Sequence, residues 1–301
     1  PGRRGWRCGV TTLVVLLLIA GLIIGFLVAV AVWAVGRSSD DVAAEVRSVG
    51  DGGSSTHSLR RTGTRAVMVA YALSGCAALA LQIVWTRALV FFAGSTTYAF
   101  SSMLVVFLGG VSFGSACATR MAGAVRSPAE WFVVLQAGLA VSAATSMWML
   151  RAATPVIDVT WPPDASWQTL VVGNFLKACA AMALPTTLMG AAFPFAVRLS
   201  ARGGDDGDLA NLGRLYAWNT VGGIVGVTLA GVWLVPRVGI AGTVALAAMC
   251  ALVSGVIVAA RRHSEPLCAA SLAVAAVVVG GVWIRGESAL HVPVGSERLV
   301  F

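Results

Sequence analysis

Apolar residues in this chain do not alternate and do not form narrow stripes. They come in long uninterrupted blocks separated by short polar stretches. A helix needs about 20 mostly apolar residues to cross a bilayer. The first block of that size is Val10 to Val35, followed by a polar, Gly/Ser-containing stretch from Gly36 to Thr64. Seven more follow: Ala66 to Phe92, Tyr98 to Ala118, Trp131 to Leu150, Leu170 to Val197, Tyr216 to Val235, Gly239 to Ala260 and Leu267 to Ile284. Each is expected to be helical, because in lipid the backbone must satisfy its own hydrogen bonds. The pattern predicts an all-α integral membrane protein. It has about seven core transmembrane helices and one extra N-terminal helix.

Composition agrees: 58% of residues are hydrophobic and 11% charged, with mean hydropathy +0.85. Soluble domains carry about 25% charged residues. The organisation expected is an N-terminal transmembrane helix (1–35), a polar linker (36–65), a polytopic membrane domain (66–285) and a connecting segment (286–301). Starting at Pro1 and ending at Phe301, the chain reads as a fragment of a longer protein. Leu170 to Val197 contains Pro185 and Pro194, so a broken or re-entrant segment is open there.

The net charge of +8 comes from 20 Arg and one Lys against 13 acids. The arginines gather at the ends of apolar blocks, where they set orientation and meet anionic lipid. The partner they imply is the lipid bilayer, and nucleic acid is excluded. Taking the loops alternately from Ala66, one side carries twelve arginines (Arg37, Arg47, Arg60, Arg61, Arg65, Arg120, Arg126, Arg198, Arg202, Arg214, Arg261 and Arg262). The other carries three: Arg87, Arg151 and Arg237. The richer side is expected to be cytoplasmic. The preference for Arg over Lys fits a high-GC bacterial coding bias and a bacterial plasma-membrane location.

Six scattered cysteines without a C-x-x-C, and three histidines in separate loops, give no metal or disulfide framework. The cysteines read as small buried hydrophobes. No acid falls at the middle of an apolar block, which argues against an ion-coupled carrier. Gly110 with Gly114, and Gly222 with Gly226, have the spacing that lets helices approach closely inside one bundle.

Some polar side chains do sit within the blocks. Lys177 is the single lysine, and Asn174 shares its helical face. The pair suits contact with an anion or a carbonyl, although a lysine snorkelling to the interface is the reading favoured. Gln82, Trp85 and Thr86 share another face. Arg87 follows at the helix end, and Trp85 with Tyr98 would form an interfacial aromatic belt.

Three stretches resemble the membrane-bound spermidine synthase-like family, in which a major-facilitator-like membrane region is fused to an aminopropyltransferase domain. They are "SGCAALALQIVWTRALVFFAGSTTYAFSSMLVVFLGGVSFGS" (Ser74 to Ser115), "LPTTLMGAAFPFAVRL" (Leu184 to Leu199) and "GRLYAWNTVGGIVGVTLAGVWLVPRVG" (Gly213 to Gly239). Trp85, Thr86, Arg87, Pro185, Met189, Gly190, Pro194, Arg198, Tyr216, Asn219 and Gly222 match the family pattern. Gln82 stands where the family usually has a glutamate.

The resemblance implies polyamine biosynthesis. The C-terminal aminopropyltransferase-like domain would be the partner of this region and would use decarboxylated S-adenosylmethionine as cosubstrate. No cofactor and no catalytic residue are expected in the chain itself, and homo-oligomerisation is left open. "RGGDDGD" (Arg202 to Asp208) superficially resembles a nucleotide loop. Such a loop must follow a strand, whereas this one lies between two apolar blocks. "GSACATRMAGAVRS" weakly resembles a transporter loop motif without its acid. The alternatives are therefore a small major-facilitator-like transporter of polyamines or other solutes, and an inactive anchor or scaffold.

Overall fold

The computed structural model of the chain describes residues 56–93, 97–122, 125–162, 164, 166–201 and 205–261, with a few positions between 269 and 281. These residues form α1 (Thr56–Ala93), α2 (Thr97–Ala122), α3 (Pro128–Thr160), α4 (Trp167–Ser200), α5 (Asp205–Thr228), a π-helical stretch (Leu229–Leu234) and α6 (Val235–Arg261). The described residues are all-helical. Five helical runs are long and apolar enough to cross a membrane: Arg65–Phe92, Thr97–Ala122, Pro128–Thr160, Trp167–Ser200 and Ala210–Ala260.

The last run has 51 residues, or about 76 Å at a helical rise of 1.5 Å, more than twice a hydrocarbon core. It turns at Gly239, whose φ of 72° and ψ of −177° suit glycine and not L side chains. Contacts with α1 give the directions of its two arms. Gly222 meets Ala72 and Gly226 meets Cys76, so α5 runs parallel to α1. Ser254, near the end of α6, donates at 2.6 Å to the carbonyl of Ala70, near the start of the α1 span, so α6 runs antiparallel to it. The run is therefore a helical hairpin whose arms fit the expected blocks Tyr216 to Val235 and Gly239 to Ala260.

The packing has an internal two-fold pattern. α2 packs on α4 as α5 packs on α1, and α3 packs on α4 as α6 packs on α1. α3 meets α6, and α1 meets α4. Exchanging α1, α2 and α3 with α4, α5 and α6 therefore reproduces the set of main contacts. Three crossings separate α1 from α4, so the two units have opposite directions, the arrangement of inverted repeats in transporters.

Both G-x-x-x-G pairs serve this pattern. A methyl on Gly110 or Gly114 would run into Thr186 or Thr187 of α4, and one on Gly222 or Gly226 into the α1 backbone at Ala72 or Cys76. Two apolar clusters fill the bundle. One, including Leu81, Trp85, Met103, Leu139 and Met182, lies toward the arginine-poor end. The other, including Tyr71, Phe132, Phe195, Leu199 and Leu215, lies toward the arginine-rich end.

Several expectations change. α1 begins at Thr56, inside the stretch expected as linker. α3 continues beyond Leu150, through Pro155, to Thr160. α4 is one continuous helix despite Pro185 and Pro194. The Thr186 and Thr187 hydroxyls donate back to the carbonyls of Met182 and Ala183 beside the first proline. The Val10 to Val35 helix lies outside the described residues. So does most of Leu267 to Ile284, although Leu272 packs near Gly255 and Ala275 is buried.

Candidate functional site

A capping box fixes the start of α4: Ser166 Oγ accepts from Thr169 N, while Thr169 Oγ1 accepts from Ser166 N. From there, two to three turns of helix carry Asn174 and Lys177 inward on one face. Both are buried, at 2% and 3% exposure. Lys177 does not snorkel, contrary to the favoured reading. Its Nζ lies 2.6 Å from Asp158 Oδ1 and donates to the Phe92 carbonyl at 3.1 Å. Both partners belong to the chain itself, a helix-end carbonyl and a carboxylate. One ammonium joins the ends of α1 and α3 to α4.

Asp158 reaches Lys177 because α3 extends ten residues beyond its expected end. The site is asymmetric: the Lys177 side chain is 4% exposed and that of Asp158 37%. The carboxylate can hydrate, whereas the ammonium depends on its two partners. Asn174 places a buried Nδ2 beside the pair, with no hydrogen-bond partner among the described residues. The arrangement holds a buried cation and presents half of a carboxylate to the arginine-poor surface. Chemically it can bind and orient charge. Among the described residues, no group of three or more His, Cys, Asp or Glu side chains is placed to hold a metal ion.

The opening face of the sequence divides differently from expectation. Trp85 is fully buried and its Nε1 donates to Ser146 Oγ of α3 at 3.1 Å, so it is a core residue and not part of an interfacial belt. Tyr98 does lie at the surface of that end, but its ring partner is Trp167, edge-to-face at 6.0 Å. Thr86 Oγ1 bonds back to the Gln82 carbonyl. Gln82 itself is half-buried, and Arg87 is exposed.

The remaining candidates spread along the bundle. Pro185 and Pro194 are buried within α4. Arg198 is exposed at the arginine-rich end, where it donates to the Val125 carbonyl at 2.9 Å. Tyr216 is exposed on α5. Asn219 sits against Gly75, where any larger residue would meet its backbone and side-chain oxygens. Of the polar candidates, Asn174 and Lys177 are the pair buried together on one helix face.

Sequence reasoning missed Asp158, because the apolar block stops before Arg151; the helical spacing of Thr154 and Asp158 was the available signal. It also missed Ser146, and Gln136 and Asn211, two buried amides whose oxygen and nitrogen atoms find no partner among the described residues. Comparison with protein families, with characterised proteins and with solved structures finds no match to this chain.

Proposed function

We propose that this chain is the integral membrane region of a spermidine synthase-like protein of the bacterial plasma membrane. In this reading it anchors an aminopropyltransferase domain at the membrane, and that domain takes decarboxylated S-adenosylmethionine as cosubstrate. One observation carries the proposal. The three stretches that resemble the family supply the residues of the two equivalent helix contacts. Gly75, Gly110 and Gly114 come from the first, Thr186, Thr187 and Gly190 from the second, and Asn219, Gly222 and Gly226 from the third. The resemblance thus falls on the frame of the bundle.

Transfer of an aminopropyl group joins an amine nucleophile to a carbon on a sulfonium. It requires both substrates positioned in a shielded pocket and a base for the amine. Among the described residues the Asp158 carboxylate is already committed to Lys177, so the chemistry is assigned to the attached domain. The test is spermidine formation from putrescine and decarboxylated S-adenosylmethionine. The 301-residue chain in detergent is expected to give none above a no-protein control, and the parent reading frame is expected to give turnover. Turnover by the short chain, or an inactive parent frame with no transferase-like domain, would overturn the proposal.

A second reading, solute transport, is favoured by the inverted units and by the buried Lys177–Asp158 pair, since such units commonly enclose a solute site. Uptake of labelled putrescine into proteoliposomes distinguishes it: saturable uptake supports transport, and its absence leaves the anchor.

A further inference from the structure

Around Lys177 the donors outnumber the acceptors. An ammonium carries three N–H donors, and one goes to the Phe92 carbonyl at 3.1 Å. The Asp158 carboxylate supplies charge but poor alignment. Its Oδ1 lies 2.6 Å from Nζ, yet that oxygen is buried without a hydrogen-bond partner among the described residues. Asn174, three residues earlier on the same helical face, adds a buried amide nitrogen that also has no partner among them. Two ammonium N–H groups and the Asn174 amide therefore lack acceptors within the described chain. Leaving buried donors unmade is costly, so the shortfall calls for an occupant that brings oxygen acceptors.

The group now against Lys177 shows which occupant fits. It is a carboxylate, carried by a residue two positions before the end of α3. The Asp158 side chain is 37% exposed and that of Lys177 4%. The carboxylate can turn to water while the ammonium stays, and the space it leaves has the size of an acetate ion. Phe92 lies one residue before the end of α1, so the site opens toward the arginine-poor surface. The described residues toward that surface carry four cations, Arg87, Arg151, Lys177 and Arg237, against two acids, Asp158 and Asp164. That balance draws anions and repels amines.

We propose that Lys177 and Asn174 form a binding site for a small carboxylate anion, and that Asp158 is its built-in competitor. The entering carboxylate takes the place of the Asp158 group, pairs with the ammonium and accepts from the Asn174 amide. Asp158 turns to the surface and hydrates. The ammonium keeps a counter-charge through the exchange, which avoids the cost of an unpaired buried ion. The inference concerns this site alone. It depends on neither the attached transferase domain nor putrescine uptake, and failure of either assay leaves it intact.

The test reads the Tm of the full chain in detergent against sodium acetate, with sodium chloride and methylammonium chloride at equal ionic strength. The Lys177→Met/Asp158→Ala double variant sets the baseline for the general stabilising effect of the salt. Wild type is expected to show a saturable rise with acetate above that baseline and none with the two chlorides. Asp158→Ala is expected to saturate at lower acetate, because the competitor is gone, and to recover part of the Tm it loses. In Asn174→Leu the half-saturating acetate concentration is expected to rise about tenfold, as for loss of a hydrogen bond to a charged group. Should Asp158→Ala fail to fold, wild type against Asn174→Leu carries the test, since both keep the ion pair. A wild-type response no larger than the baseline would overturn the proposal, and so would a saturable response confined to Asp158→Ala. Methylammonium matching acetate, or Asn174→Leu responding as wild type does, would overturn it as well.

Discussion

Removing either partner of the Lys177–Asp158 pair should have unequal consequences. Asp158→Ala leaves an ammonium whose side chain is 4% exposed with one remaining partner, the Phe92 carbonyl. Breaking a buried pair in this way costs about 3–5 kcal/mol, or roughly two to nearly four decades in the folded-to-unfolded ratio. Lys177→Met keeps the stem volume and removes the charge that needs pairing. The carboxylate left behind has a buried Oδ1 but is 37% exposed overall and can turn to hydrate, so the loss should be smaller, about 1–2 kcal/mol. The double variant should then resemble Lys177→Met and recover most of what Asp158→Ala alone loses, a coupling expected of groups in direct contact. Equilibrium unfolding in mixed micelles, or steric trapping in bicelles, measures all three variants against the parent. If Lys177→Met costs as much as Asp158→Ala, or if the two losses simply add, the assigned burial of the ammonium is wrong.

Gly114→Ala would drive a methyl into the Thr187 carbonyl, and Gly226→Ala into that of Cys76. Backbone cannot swing aside, so a loss of about 1–3 kcal/mol is expected from overpacking, read as a lowered Tm in detergent. Gly109→Ala, with nothing within 4 Å of the new methyl, should be neutral or slightly stabilising by helix propensity. Trp85→Ala should cost about 3–5 kcal/mol as a large core truncation, and Trp85→Phe about 1 kcal/mol for the lost bond to Ser146. Arg87→Ala should have little effect by the same unfolding assay, because Arg87 is exposed and makes no hydrogen bond or ion pair among the described residues. Single-cysteine labelling on a cysteine-free background should place residues near Arg60 on the cytoplasmic side and the Trp161 to Trp167 loop on the other; labelling of that loop only from the cytoplasm would refute the orientation.

The sequence by itself determined that the chain is helical and built for lipid, because block length and composition decide both without any partner. It also marked where the helices cross closely: Gly114, Gly222 and Gly226 lie against the backbone of a neighbouring helix and Gly110 against the Thr186 side chain, and spacing within one helix is a local property. Helix ends were legible only in part. Thr56 to Thr64 and Arg151 to Thr160 are polar enough to read as loops, yet helix continues through them, since hydropathy reports solvent preference and not backbone geometry.

What faces what was decided by tertiary structure. Trp85 has the composition of an interfacial anchor, and only the approach of Ser146 on α3 makes it a core residue. Lys177 is an isolated charge in the sequence; Asp158 and Phe92 reach it because α3 is long and α1 ends beside it. Ser254 reaches the Ala70 carbonyl because α6 returns antiparallel after the Gly239 turn. Pairings of this kind depend on the direction and register of distant helices. A pattern read along one chain records which face of a helix avoids water, and the neighbour that covers that face is set only when the bundle closes.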